Sequence, residues 1–209
     1  MPRMPGCSLL VFTTMLVVLL GSAPAAAQGL ARVGHAAPDF VLPDLEGRPI
    51  RLSRYKEKVV VLQWFDVECP FNGRVYRDGT VQKTVAAMKT MGPDYVYMAV
   101  NSTAIKPADN LVIQSRSFLK LFEVDVPVLI DADGKVARRF GVKKSPQVFV
   151  IDHGVIKYSG AFTDNEWGTK RTTRNFVLNA LELIRRGEKV EPATVKPWGC
   201  GIKHRSSAP

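Results

Sequence analysis

The sequence predicts an α/β layered domain built on a mixed β-sheet. Apolar, β-branched runs of strand length recur between segments of helical period. The early strands are separated by helix-length connections, which suit parallel pairing. A late pair of strands flanks Asp152-His153-Gly154, a turn that suits an antiparallel hairpin. The resulting order is β-α-β-α-β-β-α, with no repeat and no internal linker.

Residues 1–27 read as a signal peptide. Arg3 supplies the charged start, the run from Leu9 to Leu20 the apolar centre, and Ala25-Ala26-Ala27 the small residues at a cleavage site. The apolar run is shorter than the ~20 residues a membrane span requires; a retained N-terminal anchor is the alternative. Cys7 precedes the apolar run, unlike a lipoprotein cysteine, and leaves with the signal. The expected product is exported, periplasmic or secreted, with no stable membrane span after cleavage. It comprises one domain over 28–203 and a disordered tail over 204–209.

The formal charge of +10 becomes +9 once Arg3 is removed. Basic residues are scattered as short pairs such as Arg138-Arg139, Lys143-Lys144 and Arg185-Arg186, without interleaved aromatics. That pattern argues against a nucleic-acid partner and for a solvated basic surface. Attraction to anionic partners or envelope surfaces stays open.

Along the domain, Ala37 to Ser53 alternates around Pro43 and a Glu46-Gly47 turn, which predicts a small β-hairpin at the edge. Ser53 is placed to cap a short helical turn through Tyr55. Lys58 to Trp64 is the first long strand, its continuous apolar run suiting burial on both faces. Arg74 to Met91 predicts a helix with Val75, Val81, Val85 and Met88 near one face; Gly73 and Gly79 weaken its first half. A strand over Tyr95–Val100, a helix over Pro107–Phe122 and a short strand over Val126–Ile130 follow. Val136 to Phe140 makes one or two helical turns, and Gln147–Ile151 with Val155–Ser159 forms the hairpin. Thr172 or Thr173 opens a last helix to Arg186, with Phe176, Val177, Ala180, Leu181 and Ile184 inward. Beyond Glu188 the chain is irregular but holds Trp198 and Cys200, so it is expected to lie back on the domain to about Lys203.

The candidate for chemistry is Cys69. The strand ending at Trp64 leads to Glu68-Cys69-Pro70-Phe71, and Pro70 suits the first turn of a helix because its φ is preset and it has no N–H to leave unpaired. Cys69 is thereby aimed at a helix N-terminus, where the dipole favours a thiolate. The alternative is a buried structural cysteine. After signal removal Cys200 is the only other cysteine, and no CxxC is present, so cysteine-cluster metal binding has no support.

These residues resemble the thioredoxin-fold redoxins, the broad group of alkyl hydroperoxide reductase/thiol-specific antioxidant proteins. The resemblance rests on Ala37-Pro38-Asp39-Phe40, the strand into Cys69-Pro70-Phe71, Val128-Leu129-Ile130-Asp131, Phe140-Gly141-Val142 and Ser145-Pro146-Gln147-Val148-Phe149, with a late Gly199-Cys200. It implies a thioredoxin-like fold: a central mixed β-sheet flanked by helices, with an N-terminal β-hairpin extension. It further implies a thiol-dependent oxidoreductase without a cofactor, with Cys69 as redox nucleophile and Cys200 as resolving thiol. Pro70, Ser145 and a cis Pro146 would position substrate; a trans proline at strand entry is the ordinary case. The partners would be a peroxide or a protein disulfide or thiol, and an external thiol reductant.

The sequence departs from the family twice. Asn72 stands where thioredoxins carry a second cysteine, which removes exchange within one loop. Asp66 stands where peroxiredoxins carry a hydroxyl, and with Glu68 it would raise the Cys69 thiol pKa. Arg74, Arg139 or Lys143 could offset that charge. Cys200 could instead form a permanent staple with Cys69, or the two could never meet. The contrasting reading is a non-catalytic thioredoxin-like binding or copper-carrier protein, since Cu(I) suits thiolates.

Overall fold

The computed structural model describes residues 30–203. The signal segment 1–27 and the tail 204–209 lie outside those residues. Two short strands, β1 (Val41–Pro43) and β2 (Pro49–Arg51), pair antiparallel as the expected edge hairpin. A 3-10 turn follows at Leu52–Tyr55. It is entered from Arg51 without a side-chain cap, because the Ser53 hydroxyl is engaged elsewhere, donating to Asp39 Oδ2 at 3.0 Å.

The chain then enters β3 (Val59–Trp64), all of whose residues are buried. After it come helices α1 (Pro70–Arg77) and α2 (Thr80–Met91), β4 (Tyr95–Asn101), α3 (Ala108–Leu121), β5 (Val128–Ile130) and α4 (Lys135–Arg139). The remaining elements are β6 (Lys144–Ser145), β7 (Gln147–Asp152), β8 (Val155–Gly160), α5 (Phe176–Arg185) and β9 (Cys200–Gly201). The main sheet has the order β5-β4-β3-β7-β8, parallel from β5 to β3 and antiparallel from β3 to β8. This is the mixed, helix-flanked sheet of a thioredoxin-like fold.

β3 is central because both of its faces are covered. Val59 and Val61 join Val75, Val81, Leu111, Phe118, Val177 and Leu181, so α1, α2, α3 and α5 share that core. Val60, Leu62 and Trp64 face Phe40, Leu52, Val136 and Phe140, beneath the hairpin and α4. Gln63 is the polar exception. Its Nε2 donates to Asn72 Oδ1 at 3.0 Å and its Oε1 accepts from Tyr76 Oη at 3.1 Å and from Tyr97 Oη. Burial holds both phenols protonated, well above their ordinary range.

Two helix boundaries differ from those expected. The single helix over Arg74–Met91 is two: Gly79 adopts φ 75° and breaks it, while Asp78 Oδ1 accepts from the Thr80 N–H at 3.0 Å and starts α2. The last helix begins at Phe176, not at Thr172 or Thr173. Asn175 caps it, accepting from Leu178 N–H at 3.0 Å, whereas Thr173 accepts from Asn165 Nδ2 within the preceding loop.

The segment after α5 returns along the domain. Val195 N–H donates to the Ser159 carbonyl at 3.2 Å, and Trp198 Nε1 to the Thr163 carbonyl at 2.6 Å. Gly160 has φ 155°, and a Cβ there would overlap the Val195 backbone, so this close passage requires glycine. The strap ends as β9, antiparallel to β6, with Ser145 opposite Cys200.

Candidate active site

Cys69 is the N-cap of α1, in extended conformation, with Pro70 in the first turn. The strand-to-helix transition follows from the residues between. Asp66 is buried, and its Oδ1 accepts from the Glu68 N–H at 2.9 Å while its carbonyl accepts from Cys69 N–H at 3.1 Å. That tight turn brings Cys69 to the end of the sheet, 2% exposed.

The structure brings the two cysteines together. Cys69 and Cys200 form a disulfide across 131 residues, with Cα atoms 5.9 Å apart, inside the range a bridge requires. Ser145 and Pro146, both buried, lie at the same place. The Ser145–Pro146 bond is cis, and the Ser145 carbonyl oxygen is 3.1 Å from Cys69 Sγ. Pairing of β9 with β6 carries Cys200 to that edge. Gly199 passes so near that a Cβ would overlap the Ser145 carbonyl, at φ 117°. Cys200 is half-buried, the more accessible of the two.

Asn72, at the place of a thioredoxin's second cysteine, is fully buried and accepts from Gln63. Its Nδ2 has no partner among the described residues.

The charges around Cys69 are balanced differently from the sequence expectation. Glu68 does not stand alone: it forms an ion pair with Lys106, and Lys203 Nζ lies 3.8 Å away. The Lys106 hydrogen bond holds the Glu68 carboxyl below its usual range. Of the cations considered, Arg74 is beside the site, its Cζ 5.3 Å from the Phe71 ring centroid and 5.5 Å from that of Trp198. Burial lowers its pKa. Arg139 belongs to α4, in the opposite layer, and Lys143 is exposed. Lys106 and Lys203 were not legible, being 38 and 135 residues from Glu68 with no local pattern to link them. His153 and His35 are exposed; His204 lies outside the described residues. Among the described residues no helix is long and apolar enough to cross a membrane.

A pair of sulfurs at a helix start can open and re-form by thiolate attack. The comparisons with known proteins agree with that chemistry. A family model described as the AhpC/TSA family matches residues 33–159, ending before the strap that carries Cys200. A thiol-disulfide oxidoreductase ResA of Bacillus cereus is 32% identical over 120 residues, covering 57% of this chain and 64% of the relative. That of Geobacillus thermodenitrificans is 31% identical, covering 60% and 67%. The chain thus spans a little under two thirds of the Bacillus relative's length. Among solved structures, a hypothetical protein from Sinorhizobium meliloti superposes with TM-score 0.73 at 24% identity, covering 84% of this chain and 96% of that one. A putative thiol:disulfide interchange protein DsbE from Chlorobium tepidum gives 0.51 at 26%, covering 62% and 84%.

Proposed function

This chain belongs to the AhpC/TSA family, and on that premise we propose that it is an extracytoplasmic thiol–disulfide oxidoreductase with Cys69 and Cys200 as its redox couple. One observation carries the reading. The disulfide joins a cysteine at a helix start to a cysteine on a separately hydrogen-bonded strap, beside Ser145 and Pro146. A disulfide also fits an oxidising compartment, as does the signal-like N-terminal sequence.

The exchange balances as follows. A thiolate RS⁻ attacks Cys200 Sγ, the accessible sulfur; the Sγ–Sγ bond breaks and its electron pair leaves on Cys69 Sγ. Cys69 is the better leaving group because the N-terminal dipole of α1 stabilises its thiolate. A second thiolate R′S⁻ attacks the R sulfur of the mixed disulfide and releases Cys200 as thiolate. The products are RS–SR′ and a reduced couple; the reverse sequence, in which Cys200 attacks a substrate disulfide and Cys69 resolves it, exchanges the two roles that the family resemblance implies. Ser145, Pro146 and Pro70 shape the edge at which these sulfurs meet.

Exchange is better supported than peroxide reduction. Asp66, in place of the family's hydroxyl, is an acceptor already engaged by the Glu68 N–H and offers a peroxide no donor. The substrates proposed are a protein disulfide or thiol, with an external thiol as reductant.

The test is trapping. Oxidised protein is mixed with a monothiol, quenched with an alkylating agent and mapped by mass spectrometry. Expected are an early adduct on Cys200 and an alkylated Cys69. A pair that opens only after denaturation would mean a structural staple, and sulfenylation of Cys69 by peroxide faster than exchange would move the assignment to a peroxidase.

A further inference from the structure

Further along α1 from Cys69, that helix, the first turn of α2 and the loop after β8 line a cleft of about 560 Å³, with Arg74, Arg77, Asp78, Lys83, Trp167 and Lys170 among its walls. Lys170 Nζ is paired with Asp164 at 2.7 Å. Arg74, Arg77 and Lys83 form no ion pair with any described residue. The acidic groups nearest Arg74, Asp78 and Glu166, act on it only through space.

Arg74 is the most constrained of these cations. It lies against Phe71 and Trp198, the second residue after Cys69 and the second before Cys200. Its guanidinium therefore sits between the two segments that carry the sulfurs. Its Nε and Nη2 are buried and donate to no described group. That edge of the guanidinium is closed to solvent, so Arg74 offers an incoming carboxylate its charge and not a bidentate fork. Trp167 is 69% exposed, edge-on to Phe71 with centroids 5.4 Å apart. An exposed tryptophan next to an anchored arginine is the composition of recognition surfaces.

We propose that this cleft docks an acidic, cysteine-bearing polypeptide segment, the partner with which the disulfide exchanges. Carboxylates of the segment meet Arg77 and Lys83 within the field of Arg74, Trp167 covers one of its apolar side chains, and its thiolate is delivered to Cys200. A polypeptide fits better than a lone small anion, because the charges are spread over α1 and the first turn of α2 and one wall is aromatic. The proposal rests on the oxidoreductase reading and names the partner class for that site.

The test uses oxidised full-length protein and three peptides of equal length, each with one cysteine flanked by glutamates, serines or lysines. The rate of opening the disulfide is followed by tryptophan fluorescence and divided by each peptide's own thiolate fraction. At low ionic strength the acidic peptide should exceed the basic one roughly tenfold, as charge steering does elsewhere. The ratio should fall towards one at 1 M salt, where screening acts within about 3 Å. Arg77→Glu with Lys83→Glu should invert the order. Lys56→Glu, half that charge change at the other end of β3, should keep it. Equal rates for the three peptides, or a preference abolished equally by Lys56→Glu, would overturn the docking proposal while the neutral peptide still opens the disulfide. Failure of all three peptides and of dithiothreitol would overturn the oxidoreductase reading as well.

Discussion

Replacing Gly199 by alanine should make the Cys69–Cys200 disulfide easier to reduce. Gly199 holds φ 117° where a Cβ would overlap the Ser145 carbonyl, and it immediately precedes Cys200 in β9. In the oxidised protein the bridge holds the strap against β6, so the alanine must be accommodated there. In the reduced protein Trp198 still anchors the strap, but the end beyond it loses its covalent tie and can move off β6, which relieves the strain. A non-glycine residue forced into such a conformation costs about 1–3 kcal/mol. Placed on the oxidised state, that is a rise in reduction potential of about 20–65 mV for a two-electron couple, or a roughly 5- to 150-fold shift in the equilibrium with dithiothreitol. The assay is equilibration in dithiothreitol redox buffers, acid quench and counting of alkylated thiols. Gly187→Ala is the control: φ is +70° there, but nothing lies within 4 Å of the added Cβ. It should lower thermal stability and leave the potential where it was. A Gly199→Ala potential equal to wild type would refute the claim that seating of the strap sets the stability of the pair.

Other perturbations test the surrounding structure. Lys106→Met removes the ion pair from Glu68 and leaves its carboxylate near Cys69, so in a Cys200→Ser background the Cys69 thiol pKa should rise; an unchanged pH profile of alkylation would refute it. The same ion pair depresses the Glu68 pKa in the folded state, so its stabilisation is present above about pH 4.3 and is lost as pH falls through the lower folded value. Glu68 is partly exposed, so the effect is a few tenths of a kcal/mol, and melting temperature should depend less on pH between 5 and about 3 in the variant. Leu62→Ala, at a fully buried position of β3, should cost about 2–5 kcal/mol and lower Tm by roughly 4–20 °C; a smaller loss would mean that β3 is not the packing centre. Gln63→Leu strips the acceptor from the Tyr76 and Tyr97 hydroxyls and the donor from Asn72, so its urea midpoint should fall by the equivalent of at least about 2 kcal/mol.

What the sequence disclosed was what local chemistry decides. Six consecutive buried residues in β3 are legible because a strand covered on both faces has no polar alternation, and Pro70 marks a helix start because its ring fixes φ. The break at Gly79 was half legible: a glycine weakens a helix, but only the Asp78 cap and the packing of α2 decide that it ends one. Asn175 is the better cap by type, but Thr173 is a permitted one. The loop hydrogen bonds chose between them. The disulfide was open because nothing local ties residue 200 to residue 69; pairing of β9 with β6, a tertiary event, does so. Likewise, the expectation that Glu68 burdens the thiol needed Lys106 and Lys203, which arrive from distant segments.

The most direct test of the central claim is a redox titration of the full-length protein under native conditions, with thiols counted at each potential and circular dichroism recorded alongside. Cys69 and Cys200 should gain and lose their bond together, reversibly, as one two-electron step with the fold retained. Thiols that emerge only as the native signal is lost would contradict the claim and make the bridge a structural one.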